Sequence, residues 1–351
     1  MRTTLILSLI ITTTAHAQFT MQTSNTTADL RGIHNVGNGV VWASGTSGTV
    51  LRTEDGGYVW QSCSIPPGAE KLDFRGIQAF DANTAIVMSS GPGDQSRLYN
   101  TTDGCHSWKL LFTNPDKDGF WDAVLLNRFD KDGALLGDPV NGTFSLWETD
   151  DKGDTWHRTK DAGLSAKEDE GAFAASNSAM FLAEDFAIGF VTGGPKGPRI
   201  LTNEGTSETE PFRAQSLPVK GGSKSAGAFS IEAREWCCWV AVGGEYTKPD
   251  DTIETAAFTK DGGKTWTAAT TPPHGYRSSV AYDEQTKTWI TVGPNGTDIS
   301  TDDGRNWCPI HPNPALHEPP DADRNWNALS LPYVVGPHGR IGKLDEAVLK
   351  H

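Results

Sequence analysis

Short apolar runs separated by turn residues dominate the chain, and they recur in a fixed order. In one unit RGIQAF (Arg75–Phe80) is followed by a turn at Asp81-Ala82-Asn83 and then by TAIVMSS (Thr84–Ser90). A glycine-rich loop, GPGDQS, leads into RLYNTTD, and WKLLF (Trp108–Phe112) follows. Apolar positions alternate or cluster over runs of about four to seven residues, the length and period of strands. No stretch longer than about ten residues carries a helical period, so the pattern predicts an almost wholly β protein. Seven first strands can be read: RGIHNV from Arg31, RGIQAF from Arg75, WDAVLL from Trp121, AFAASN from Ala172, AFSIEA from Ala228, RSSVAY from Arg277 and NALSLP from Asn327.

Five units share a second signature, Ser/Thr-x-Asp-x-Gly-x-x-Trp. It reads TEDGGYVW at Thr53–Trp60, TTDGCHSW at Thr101–Trp108, TDDKGDTW at Thr149–Trp156, TKDGGKTW at Thr259–Trp266 and STDDGRNW at Ser300–Trp307. Only Cys105 replaces the glycine. Asp55, Asp103, Asp151, Asp261 and Asp302 can accept backbone N–H groups of their own turns, where glycine supplies positive φ. Trp60, Trp108, Trp156, Trp266 and Trp307 then bury large aromatic surfaces between neighbouring units, a structural role. The first three tryptophans are 48 residues apart, and Trp156 to Trp266 is 110, which implies a unit with a decayed motif at LTNEGTS (Leu201–Ser207). Such periods suit one four-stranded blade each. The expected fold is an all-β, seven-bladed β-propeller over residues 18–351. FTMQTSN (Phe19–Asn25) is expected to supply the last blade's fourth strand and close the ring, since an open edge would stay unpaired.

Residues 1–17 read as a signal peptide: Arg2, the apolar run LILSLII, and Ala15-His16-Ala17 as the cleavage site. The mature chain is expected to be exported, to the periplasm or beyond, as a monomer. No later apolar run is long enough to span a bilayer, so no membrane insertion is expected. The formal charge of −14 repels phosphate backbones and argues against nucleic acid. Export would permit disulfides among Cys63, Cys105, Cys237, Cys238 and Cys308. Cys63, on one unit's outer strand, and Cys105, in the next unit's turn, are placed to pair. A vicinal Cys237–Cys238 bridge is a further option, unpaired cysteines are the bland alternative, and the odd count leaves at least one thiol over.

Chemistry is expected on the face opposite the aspartate turns, where the chain approaches each first strand and where second strands turn into third. Arg31, Arg75 and Arg277 stand at the start of first strands, Trp121 starts another, and Glu170 and Tyr276 precede theirs. The loops after second strands add Asp138, Glu245, Tyr246, Asn295 and His338. Arginines beside carboxylates and aromatics can clamp an acidic or sugar-like ligand; the bland alternative is ion pairing between blades. The chain has no G-x-S-x-G, H-E-x-x-H, P-loop or dinucleotide fingerprint. Its nine histidines lack ligand spacing, and the DKDG turns at Asp116 and Asp130 lack a full calcium series, so no metal or cofactor is expected.

The five motifs resemble the Asp-box (BNR) repeat. The whole mature chain resembles seven-bladed propellers of the photosystem II assembly factor type, and exported bacterial propellers with F-R-G-I, G-D-P, G-G-[DE]-Y and Y-R-S-x-V-A-Y segments, here at Phe74, Gly137, Gly243 and Tyr276. The resemblance implies a non-catalytic scaffold that binds a protein or envelope partner. The repeat also occurs in sialidases and xyloglucanases. That implies the alternative, a glycosidase or lyase whose carboxylates would come from Asp138, Glu170 and Glu245. The sialidase tetrapeptide Phe/Tyr-Arg-Ile-Pro is missing, and xyloglucanases use two propellers where this chain supplies one.

Overall fold

The computed structural model describes residues 18–127, 132–159, 163–182, 187–203 and 211–345. The leader, part of the Asp130 turn and most of LTNEGTS lie outside them. Seven four-stranded antiparallel sheets form a ring. Blade one runs Leu30–Gly37, Val40–Gly45, Val50–Thr53 and Gln61–Ser62, and blades two and three repeat this order from Phe74 and Trp121. Blade seven pairs Ala328–Ser330, Tyr333–Val335 and Ile341–Leu344 with the N-terminal strand Phe19–Gln22, so that Phe19 faces Leu344. Phe19 is buried, its amide donates to Glu318 Oε1 at 2.7 Å, and its ring lies 5.8 Å from that of Trp326. An early strand and a late strand thus close one sheet.

Apolar faces of adjacent blades pack against each other rather than around one centre. Trp60, Leu30, Val41 and Leu51 of blade one meet Tyr333, Val335 and Ile341 of blade seven. Trp307 packs against blade five in the same way. Each fully buried side chain of this size contributes about 1.5–3 kcal/mol, so the seven seams carry most of the apolar stabilisation.

All five aspartate turns have one geometry. Thr53 Oγ1 donates to Asp55 Oδ1 at 2.7 Å, and Oδ1 accepts the Val59 N–H at 3.0 Å. The Thr53 hydroxyl in turn accepts the Gly57 N–H at 3.0 Å. The same bonds recur at Asp103, Asp151, Asp261 and Asp302. Hydrogen bonds from Thr265 and Thr259 hold Asp261 down at about 2, against an ordinary 3.8. A depressed carboxyl stabilises the fold above its ordinary value and loses that contribution as pH falls toward the folded value. Asp261→Ala is therefore expected to lower the melting temperature at about pH 6, with the gap closing toward about pH 2, as thermal scans across that range would show.

Blade four departs from the expected boundaries. Its first strand is Met180–Leu182, not the run from Ala172. AFAASN alternates like a strand, yet its polar groups and the next residue, Ser178, bond to four other blades. Arg75 Nη1 of blade two donates to Ala174 O at 3.2 Å. Asn177 accepts the Val124 N–H of blade three at 2.8 Å and donates to Val124 O at 3.0 Å. Ser178 Oγ lies 2.7 Å from Ser230 Oγ of blade five, and Ser176 Oγ donates to Ser278 O of blade six at 2.7 Å. The segment 172–178 therefore crosses the ring's axis.

Candidate functional site

Above that crossing segment, on the face opposite the aspartate turns, lies a cavity of about 480 Å³. A register device builds its wall. In blades one, two, three and five the first strand carries a bulge, and the residue left out of the ladder is Arg31, Arg75, Asp122 or Phe229. A bulge re-aims the extra side chain. All four line the cavity, together with Ser278 and Asn327, which hold the matching positions in blades six and seven. Ala172–Ala175 form the floor.

Arg277 sits one residue earlier in this register, matching Leu30, Phe74 and Trp121. A one-residue offset on a strand turns the side chain to the other face. Arg277 is fully buried and does not share the rim with Arg31 and Arg75. Its Nε donates to Asp298 Oδ2 at 2.8 Å, Nη1 to Tyr276 O at 2.8 Å and Asn295 Oδ1 at 2.5 Å, and Nη2 also reaches Asp298. Trp121 is likewise fully buried, its ring 5.3 Å from Phe112. Both are packing residues of the blades: the bulge before Ala123 turns Asp122 rather than Trp121 inward, and in blade six Ser278 holds the inward position next to Arg277.

Glu170 and Glu245 are also occupied. Burial raises Glu170, but bonds from Arg199 Nε (2.7 Å), the Lys167 N–H (2.7 Å) and Thr192 Oγ1 (2.7 Å) outweigh it and hold the carboxyl below its ordinary value. Glu245 accepts from Lys248 at 3.0 Å and from the hydroxyls of Thr247 and Ser225 at 3.2 Å, which keeps it ionised. Neither lines the cavity.

The arginines on the rim are largely neutralised. Arg75 Nε donates to Asp73 Oδ2 at 2.8 Å, and Arg31 Nε lies 3.8 Å from Asp73 Oδ1, so one aspartate ties blade one to blade two. Asp29 stands 4.0 Å from Arg31 on the other side. This is the ion pairing between blades weighed against an anion clamp. Opposite, Phe173 stacks on Phe229 at 3.7 Å, Tyr276 meets Phe229 edge-on at 4.8 Å, and Tyr246 lies 6.1 Å from it. Phe173 needs Gly193 and Gly227, since a Cβ on either would come within 2.7 Å of its ring.

Asp122 is the residue the sequence reading passed over. It is 1 % exposed, and its Oδ2 has no hydrogen-bond partner. Burial, then the charge of Asp138, pushes it well above the carboxylate range, while Arg75 acts the other way. Burial also lifts Asp138 to about 6, although the Ala172 N–H donates to its Oδ1 at 3.0 Å. Among the described residues no group of three or more His, Cys, Asp or Glu is placed to hold a metal. No described helix is long and apolar enough to cross a membrane.

Comparison with known proteins finds the architecture again. YCF48 bound to a D1 peptide superposes with a TM-score of 0.63 at 14 % identity, over 94 % of this chain and 98 % of that one. The likeness is one of fold. YCF48 from Cyanidioschyzon merolae gives 0.62 at 15 % identity, over 94 % and 100 %. The WD40 β-propeller domain of Doa1 gives 0.58 at 10 % identity, over 95 % and 98 %. No protein-family model matches the chain, and neither does any curated protein sequence.

Proposed function

We propose that the chain is an exported, non-catalytic propeller that docks a segment of a protein or envelope partner in the axial cavity, as a binding or assembly scaffold. The observation that carries this reading is the cavity itself: preformed, floored by the crossing segment, with a polar rim and an aromatic wall. Such a mixture suits recognition. Two of the three carboxylates a glycosidase was expected to use, Glu170 and Glu245, are held in ion pairs away from it. A propeller of the same shape with a bound peptide, YCF48 with D1 peptide, supports a peptide segment as the occupant. The Cys63–Cys105 disulfide supports export to an oxidising compartment.

The test is capture of a partner from an envelope extract, with Arg75→Ala and Tyr246→Ala compared at unchanged melting temperature. Tyr246 is 52 % exposed, so its removal leaves the core intact. Loss of about 2 kcal/mol or more of binding in Tyr246→Ala, as for an interface anchor, is expected. Capture equal to wild type in both variants would reject the cavity as the docking site. A second reading, a glycan-cleaving enzyme, is favoured only by the two neighbouring buried carboxyls Asp122 and Asp138. Turnover of an oligosaccharide panel that Asp138→Asn abolishes would put it first.

A further inference from the structure

The charges that surround the cavity do not balance in favour of the arginines. Arg31 and Arg75 share Asp73, and Asp29 flanks Arg31. Among the described residues no positive partner stands within ion-pair distance of Asp122 or Asp138, and Asp122 keeps a buried, unbonded Oδ2 in the lining. A buried polar atom left unpaired carries the full cost of its desolvation unless something arrives to bond it. The same cavity is lined by Phe173, Phe229, Tyr246 and Tyr276, and the faces of aromatic rings attract a desolvated cation. One free carboxylate oxygen is a point acceptor. It matches a compact ammonium better than a guanidinium, whose fork needs two oxygens in its plane.

Resting on the docking role above, we propose that the cavity recognises a lysine side chain of the partner, its ammonium bonded to Asp122 and its alkyl stem lying along the Phe229 and Tyr246 rings. This reverses the expectation of an acidic ligand. Two neighbouring buried carboxyls resist joint ionisation, so the Asp122–Asp138 pair tends to hold a proton. An arriving ammonium makes that proton unnecessary and expels it. The other charged or titratable side chains in the cavity lining are Arg31 and Arg75, paired with Asp29 and Asp73, and the phenols of Tyr246 and Tyr276. Burial raises Tyr276 further, so it stays neutral.

The experiment is titration of the folded protein with Nα-acetyl-lysine methylamide, the norleucine analogue and the glutamate analogue, read by tryptophan fluorescence and calorimetry. The lysine probe is expected to bind at least about tenfold more tightly than norleucine, with the glutamate probe weakest. Affinity should rise severalfold from about pH 5 to pH 7.5 as the pair gives up its proton, with proton release seen as a buffer-dependent heat. Asp122→Asn should abolish the preference for lysine. Asp138→Asn should retain it and flatten the pH profile, which guards against Asp122→Asn simply failing to fold. Equal binding of lysine and norleucine, or a preference for glutamate, would overturn the proposal. If partner capture nevertheless stayed sensitive to Tyr246→Ala, the docking role would stand and the lysine specificity alone would fall.

Discussion

Arg277→Met is expected to cost the fold about 3–5 kcal/mol, the penalty for stranding a buried charge. Asp298, 1 % exposed, would lose its guanidinium partner and keep only the bond to His274 Nδ1 at 2.7 Å. Burial pushes Asp298 up, but His274 and Arg277 together hold it below the ordinary carboxylate range. The pair's contribution is therefore present above that ordinary value and fades as pH falls through the depressed one. Denaturant midpoints should show the largest gap between wild type and variant near neutral pH and a narrowing gap in acid. Adding Asp298→Leu to Arg277→Met should recover part of the loss, because an apolar pair carries no desolvation penalty. A loss below about 1 kcal/mol, or no recovery in the double variant, would show that the pair is solvated and not the buried tie described above.

The ring was legible because its turns are chemical. Each Ser/Thr-x-Asp turn satisfies its own backbone through two side chains, so it forms wherever those residues stand at that spacing, whatever surrounds it. That fixed where third strands end and fourth strands begin, and counting by period followed. The closing strand was legible for a complementary reason: blade seven ends with one strand missing, and Phe19–Gln22 is a strand without a blade.

The inner face was harder, because there one residue of register decides everything. Arg31, Arg75 and Arg277 each stand near a first-strand start, but what aims the first two inward is the bulge before Gly32 and Gly76. The pair after Arg277 is Ser278-Ser279, and it is Ser278 that takes the inward position. Read from the small-apolar pair that follows, the inward residue of WDAVLL is Asp122, not Trp121. That signal was in the sequence, hidden because the eye takes the large aromatic first. The axial segment Ala172–Ser178 was not legible at all. Its alternation is that of a strand, and only contacts to blades two, three, five and six, distant in sequence, divert it.

Cys63→Ser is expected to lower stability by about 4 kcal/mol under oxidising conditions, from the chain entropy of a loop whose ends are 42 residues apart. The bond does more than shorten the unfolded chain. Cys105 holds φ +66° at the position where the other four aspartate turns have glycine. A side chain there costs about 1–2 kcal/mol of backbone strain, which the covalent tie to blade one offsets. The neighbouring bonds run across the same seam: Ser64 Oγ donates to Cys105 O at 2.7 Å, and Trp108 Nε1 donates to Ser64 O at 2.9 Å. Two substitutions separate the contributions. Cys63→Ser keeps the strained side chain and loses the bond, whereas Cys105→Gly loses the bond and relaxes the turn, so Cys105→Gly should be the more stable by about 1 kcal/mol. With reductant present, wild type should fall to the level of Cys63→Ser, and Cys105→Gly should surpass both. Equal stability of the two variants would show that the left-handed turn carries no strain, and the disulfide would then act through the unfolded chain alone.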